Sequence, residues 1–338
     1  MLEKPPLEDQ KIIDAVRENY GVIVNALEFL PLGYDANAGV YRAIADGRAY
    51  FLKVRRDRVY ELSVTIPRYL ITQGIEQVVA PLPTITPELW AQIDDFSLLL
   101  YPFIEGQVGM DVGLSDSQWI EFGTILRRLH DTPLTPELMA QIRKETFVPR
   151  TDHLDIMRRL QADTQTITYD NPFKQQLADF WIAKRADINL ILKRTMQIGQ
   201  TLQQAALEFV LCHADIHTAN VMVQPDGKLS IVDWDQPIFA PKERDLMFVI
   251  GGTVGGMIVG ENEPLFLRGY GETDVNWLAL AYYRYEWIVQ DLCEFGKTVF
   301  FDDVGDETRA DAVSLVKLIF EPENLFESAV ELDRTLSL

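Results

Sequence analysis

Apolar residues at Ile12, Ile13, Val16 and Tyr20 recur at helical spacing and Gly21 follows them, so a helix is expected over residues 8–20. The period then changes. Residues 39–45 and 48–54 flank the pair Asp46-Gly47, which is a hairpin signal. Folding about that pair sets Lys53 opposite Val40, since both are equidistant from the turn, and brings the lysine beside the loop 33–39. A short helix over 60–73 follows, with Pro67 an awkward residue inside it. Strands are expected over 77–85 and 96–103. Beyond Glu105-Gly106 the pattern turns helical: Ser115 and Gln118 fit a capping box, and Trp119, Phe122, Leu126 and Leu129 follow at helical spacing. Further helical signals cover 175–205, 275–296 and 307–320, interrupted by one short β segment at 221–234.

A β-rich first third and a helical remainder predict an α+β chain of two lobes, 1–104 and 105–338, joined near Tyr101–Gly106. The 338 residues are too many for one small core and suit that division. The composition, 47% hydrophobic and 24% charged, is that of an ordinary globular chain. No secretory pattern opens the sequence, and the apolar run 248–260 is Gly-rich and too short to span a bilayer. Two cysteines, Cys212 and Cys293, support neither a disulfide framework nor a cysteine-rich metal site. A cytoplasmic protein is expected.

The net charge of −20 argues against nucleic acid and anionic membranes as partners, because both favour basic surfaces. The charge is uneven. Residues 1–104 carry 10 basic and 14 acidic side chains, and the remainder 21 and 37. An acidic second portion could attract a cationic substrate, although a solvated acidic surface explains the excess equally well.

The chemistry concentrates between Leu211 and Phe248. There His213-Ala214-Asp215 precedes Asn220, and Pro225-Asp226-Gly227 separates two apolar runs, the second ending at Asp233-Trp234-Asp235. Proline presets one dihedral and glycine supplies positive φ, so the middle is a turn. If the hairpin folds about Asp226-Gly227, Asn220 and Asp233 become a cross-strand pair with Cβ atoms roughly 5 Å apart. A three-residue loop shifts the pairing by one position, and both registers stay open. An amide oxygen and a carboxylate so close form a hard-oxygen site suited to Mg²⁺, which keeps its other positions for water and nucleotide phosphates. Asp215, five residues before Asn220, is near enough to reach a hydroxyl beside the transferred group. Taken singly, Asp215 caps a turn and Asp233 ends a strand equally well; it is their combination and spacing that point to phosphoryl transfer. His213 reads as an orienting hydrogen-bond residue, and His217 as a possible contact to substrate or backbone.

These residues resemble the aminoglycoside phosphotransferase family, and within it the spectinomycin phosphotransferases. The stretches that carry the resemblance are Val232-Asp233-Trp234-Asp235-Gln236-Pro237 and Ala240-Pro241-Lys242-Glu243-Arg244-Asp245-Leu246-Met247-Phe248. Tyr101-Pro102-Phe103-Ile104, Gly123–His130 and Tyr282-Tyr283-Arg284 support it. The resemblance implies a bilobal protein-kinase-like fold and an ATP- and Mg²⁺-dependent kinase acting on a small cationic hydroxyl compound. By it, Asp215 is the catalytic base, Asn220 and Asp233 are the metal ligands, and Lys53 holds the α- and β-phosphates with Glu61 as its ion-pair partner. Gly33 and Asn37 cover the phosphates, and the backbone of Tyr101, Phe103 and Ile104 meets adenine.

The chain departs from the family pattern at two points. No G-x-G-x-x-G loop is present, and Ala214 stands where the family often has glycine. The glycines at 251, 252, 255 and 256 are not followed by the Gly-Lys-Ser/Thr of a phosphate loop. Asp235, Glu286 and Asp291 are candidates to meet the substrate's ammonium groups, and Trp234 and Tyr283 to offer it aromatic surface. Three functions remain open: an aminocyclitol kinase, a metabolic kinase acting on choline, an amino alcohol or a sugar, and a nucleotide-binding pseudokinase.

Overall fold

The structure, a computed structural model, describes residues 3–33, 37–56, 58–251 and 262–336. In chain order it begins with helix α1 (Asp9–Tyr20), strands β1 (Ala26–Leu30), β2 (Ala38–Ala45) and β3 (Arg48–Arg55), and helix α2 (Glu61–Thr72). Strands β4 (Ala91–Ile93), β5 (Phe96–Pro102) and β6 (Gln107–Val108) come next. Helices α3 (Gly109–Val112), α4 (Asp116–His130), α5 (Pro136–Gln141), α6 (Thr151–Thr166), α7 (Pro172–Ala183) and α8 (Arg185–Leu202) follow. Strand β7 (Val210–Cys212), a 3-10 turn at Thr218–Asn220, and strands β8 (Val221–Val223), β9 (Leu229–Ile231) and β10 (Ile238–Ala240) lead to the last helices. These are α9 (Glu243–Leu246), α10 (Glu263–Tyr270), α11 (Trp277–Phe300), α12 (Asp306–Leu318) and α13 (Leu325–Thr335). A β-sheet N-terminal region and a helical C-terminal part bear out the expected fold class.

The described residues fall into two compact units. One takes those of Met1–Arg143, His213–Ile238 and Arg268–Tyr270; the other takes those of Lys144–Cys212, Phe239–Leu267 and Gly271–Leu338. The first unit holds an antiparallel sheet in the order β1-β2-β3-β5-β4. Its hairpin turns at Asp46 and Gly47, with φ of 49° and 73°, as a two-residue type I′ turn requires. The register follows from the turn: Val40 faces Lys53, as the spacing predicts. Strand alternation sends Leu52 and Val54 to one face, where they pack with Ile12 and Val16 of α1. Lys53 and Arg55 leave from the other face, the side of Leu99, Tyr101 and Val64 of α2. At Gly21, which ends α1, φ is 67° and the N–H bonds the Arg17 carbonyl.

Ser115 and Gln118 cap α4 reciprocally, as expected. The strand expected over 77–85 does not form. Pro81 and Pro83 remove donors that a ladder needs, and only Val78 makes a β-bridge, parallel to Ile231. The edge of the main sheet is β4 instead. A second small sheet, β6-β8-β9, carries the hairpin of the informative stretch.

The other unit is built around α11, whose Tyr282, Tyr283, Arg284 and Tyr285 are buried. Arg284 donates to the carbonyls of Ile250 (2.9 Å) and Gly251 (2.7 Å), so this buried cation serves to cap backbone. Burial brings its pKa down to about 10. Among the described residues no helix is long and apolar enough to cross a membrane.

Candidate active site

Five residues join strands β8 and β9, and the Gln224 N–H bonds the Lys228 carbonyl at 2.9 Å, closing a three-residue loop of Pro225, Asp226 and Gly227 with Gly227 at φ 87°. Val221 therefore faces Ile231, and the Val232 N–H bonds the Asn220 carbonyl at 3.0 Å. The register is the shifted one, and Asn220 lies opposite Val232 rather than Asp233. Pro225 explains the choice: in a two-residue turn it would flank the loop, where a ladder N–H is required. Burial of Leu229 and Ile231 holds the result, since a one-residue slip would turn them outward. Beyond β9, Asp233 sits at φ 61°, a left-handed conformation uncommon for a residue with a side chain. Its carboxylate is 46% exposed.

The hairpin is anchored on both edges. Gln107 and Val108 pair with Val223 and Met222, and the Ile231 N–H bonds the Gln77 carbonyl at 2.7 Å. On this base the loop 213–220 arranges its side chains. Asn220 Nδ2 donates to the Asp215 carbonyl (2.7 Å) and to Asp215 Oδ2 (2.9 Å). His217 Nδ1 accepts the Ala219 N–H, which directs Nε2 toward Asp215 Oδ1 at 3.3 Å. Both oxygens of Asp215 are thus held. Burial pulls the His217 pKa down, but the Asp215 carboxylate outweighs it, and the net shift is upward. His213 orients this loop: its Nδ1 accepts the Asp215 N–H, leaving Nε2 to donate to the Val232 carbonyl at 2.9 Å. Its ring lies 4.4 Å from that of the buried Trp234, centroid to centroid.

Lys53 reaches the same place from the main sheet. Its Nζ lies 2.8 Å from Asp235 Oδ2 and 3.3 Å from Asp233 Oδ1. Burial opposes the ammonium charge, but the two carboxylates prevail and its pKa rises above the ordinary lysine value. Lys53 draws the Asp233 pKa down; partial loss of water around the carboxyl and the carboxylates of Asp235 and Asp215 nevertheless leave it raised. For Asp235, burial is outweighed by Lys53 and Arg55, and its pKa is lowered. Arg55 Nη1 bonds Asp235 Oδ2 at 3.0 Å. Nothing in the sequence pattern singled out Arg55, although its position two residues from Lys53 puts it on the same strand face.

Lys53, Asp215, Asn220, Asp233 and Asp235 therefore meet within one compact unit. The ion pair expected between Lys53 and Glu61 is not formed; Glu61, exposed in the first turn of α2, lines a cavity of about 1140 Å³ with Arg56, Arg58 and Trp90. Gly33 has φ 82°, and the Asn37 carbonyl accepts the Arg56 N–H at 2.8 Å. Tyr34–Ala36 of that loop, and the glycines at 252, 255 and 256, lie outside the described residues. Tyr101 packs edge-on against Phe51, and Phe103 lies under the Arg42 guanidinium; Ile104 follows the end of β5. Glu286 and Asp291 belong to the other unit, where Glu286 pairs with Arg244 at 3.0 Å and Asp291 accepts the Trp287 indole N–H at 2.7 Å. Trp234 and Tyr283 are core residues.

The donor set fits a magnesium ion. Asn220 commits its amide nitrogen to Asp215, which leaves its oxygen as a ligand, and Asp233 offers an accessible carboxylate; both are hard oxygens. A strand lysine, a loop aspartate fixed by an asparagine, and an aspartate beyond the next hairpin form the arrangement expected of a protein-kinase-like phosphotransferase.

The comparisons with known proteins agree. The model of the phosphotransferase enzyme family matches residues 27–280. A spectinomycin phosphotransferase crystallised with ADP and spectinomycin is 31% identical, with a TM-score of 0.87 over 97% of this chain and 99% of that one. A microcompartment-associated aminopropanol kinase shares the fold at 15% identity, with a TM-score of 0.63 over 97% and 98% of the two chains. So does an ethanolamine kinase of Plasmodium vivax, at 14% identity, with a TM-score of 0.58 over 93% and 88%. No sequence among the curated proteins matches. The chain belongs to the phosphotransferase enzyme family, and the resemblance drawn from its residues is borne out.

Proposed function

We propose that the protein transfers the γ-phosphoryl group of ATP to a hydroxyl of a small cationic aminocyclitol or aminoglycoside, such as spectinomycin, in the cytoplasm. The observation that carries this reading is the convergence of Lys53 from one hairpin, Asp215 and Asn220 from the loop before a second, and Asp233 from beyond it, within one compact unit. Full-length likeness to a spectinomycin phosphotransferase supports the acceptor class.

In this reading residues 1–104 hold the nucleotide and 105–338 supply catalysis and the acceptor site. Asp215, with its oxygens steadied by Asn220 and His217, aims the acceptor hydroxyl and takes its proton. Asn220 and Asp233 hold Mg²⁺, which when bound supplies positive charge to the phosphates. Lys53 exchanges its carboxylate partners for the α- and β-phosphates, under Gly33 and Asn37, while the backbone of Tyr101, Phe103 and Ile104 meets adenine. Glu61 remains the candidate partner of Lys53 once nucleotide is bound. The acidic excess after residue 104 favours a cationic acceptor, for which Asp235, Glu286 and Asp291 are the proposed anchors. All three must share or give up bonds they make now.

The test is ADP release and product mass over a panel of spectinomycin, other aminocyclitols, choline, amino alcohols and sugars. Spectinomycin carrying one added phosphoryl group is the expected product. Turnover confined to choline, an amino alcohol or a sugar would overturn the acceptor assignment. Mg-ATP binding without turnover on any acceptor would make the chain a pseudokinase.

A further inference from the structure

Lys53 and Arg55 leave β3 on one face, opposite Leu99 and Ser97 of β5. Both reach the same atom. Asp235 Oδ2 accepts from Lys53 at 2.8 Å and from Arg55 at 3.0 Å, and the three side chains are 13%, 14% and 27% exposed. The phosphoryl-transfer steps derived above assign Arg55 no part.

The local charges suggest one. Asp233 and Asp235 crowd around Lys53, Asp215 adds its charge beside Asp233, and a nucleotide polyphosphate adds further negative charge. A little-exposed lysine shared by two carboxylates is held back from phosphate by its own ion pairs. A second cation on Asp235 weakens that hold, and a guanidinium keeps its charge at any ordinary pH. We propose that Arg55 is a positioning residue for nucleotide binding: by neutralising Asp235 it leaves the charge of Lys53 available to the phosphates and keeps the site from repelling them. The proposal rests on the phosphoryl-transfer reading. It predicts an effect on nucleotide affinity and not on the chemical step, because Arg55 acts through Asp235 and Lys53 and not through Asp215.

The experiment titrates ADP by calorimetry, with and without magnesium, into the wild type, Arg55→Met, Arg55→Lys, Asp235→Asn and the double variant Arg55→Met/Asp235→Asn. Steady-state kinetics and thermal melting are run on the same preparations. Arg55→Met is expected to bind ADP about 10- to 100-fold more weakly, the range of a lost hydrogen bond between charged groups. KM for ATP should rise in parallel while kcat stays within about threefold. Arg55→Lys should recover most of the affinity. The double variant should bind within about threefold of Asp235→Asn alone, since a neutral side chain at 235 removes the charge that Arg55 offsets there. Should Arg55→Met not fold, Arg55→Gln makes the same comparison. Wild-type ADP affinity in the variant, with or without a lower melting temperature, would overturn the proposal. So would a loss confined to kcat. A wild type that binds no nucleotide would instead defeat the phosphoryl-transfer reading itself.

Discussion

Two hairpins supply the site, and they are built to different ends. β2 and β3 close over two residues, both at positive φ, and pair over eight residues each. Lys53 therefore sits inside a long ladder, flanked by β2 on one side and β5 on the other. β8 and β9 close over three residues, with Gly227 alone of the three at positive φ, and pair over only three each. Directly after this short ladder the chain departs from strand geometry at Val232 and Asp233, where φ turns to 61°. A long ladder fixes a charge in place; a short one lets the backbone break where an exposed carboxylate is wanted. In the proposed reading the first hairpin delivers electrostatics, and the second, with the loop before it, delivers chemistry.

That division can be broken by kinetics. Asp215→Ala should lower kcat by about 10²- to 10⁴-fold, the usual worth of a positioned base, with KM for nucleotide nearly unchanged. Lys53→Met should chiefly raise KM for nucleotide. If the two variants showed the same pattern, the hairpins would not divide the work.

A second, smaller test concerns the support of the short ladder. Gly106 lies at φ 159°, and a Cβ there would come 2.4 Å from the Val223 carbonyl oxygen. Gly106→Ala should destabilise the protein by about 2–3 kcal/mol, because the obstacle is backbone and cannot rotate away. Denaturant unfolding reads this directly; a loss below about 1 kcal/mol would show that the β6–β8 pairing gives way easily.

The turns themselves should respond alike. Gly47 (φ 73°) and Gly227 (φ 87°) both face open space, so alanine meets only the intrinsic cost of left-handed backbone, about 1 kcal/mol in each. Unequal costs would mean that one turn strains its ladder more than the other. The smallest effect is expected at Ala214, buried at φ 75°. Ala214→Gly relieves strain of about 1 kcal/mol, but loses a buried methyl and loosens the unfolded chain, together by about 1.5 kcal/mol. Stability should fall by about 0.5 kcal/mol.

What could be read without coordinates was local. Asp46-Gly47 determined the turn type, the turn determined the register, and the register placed Lys53 opposite Val40. The types and spacing of Asp215, Asn220 and Asp233 pointed to a phosphotransferase, the family to which the chain belongs, and Ser115 with Gln118 marked the start of α4. Each rests on residues a few positions apart, whose geometry the backbone dictates. The tertiary structure decided the rest. Burial of Leu229 and Ile231 held the shifted register of the second hairpin, which Pro225 favours locally because it lacks the N–H that the two-residue turn requires. The partners of Lys53 were decided at a distance: Asp235 lies 182 residues away along the chain, and Arg55 claims the same oxygen. Glu61, eight residues from Lys53, was the nearer guess and does not pair with it. Long-range ion pairs depend on where separate strands end in space, and no spacing rule along a chain carries that information.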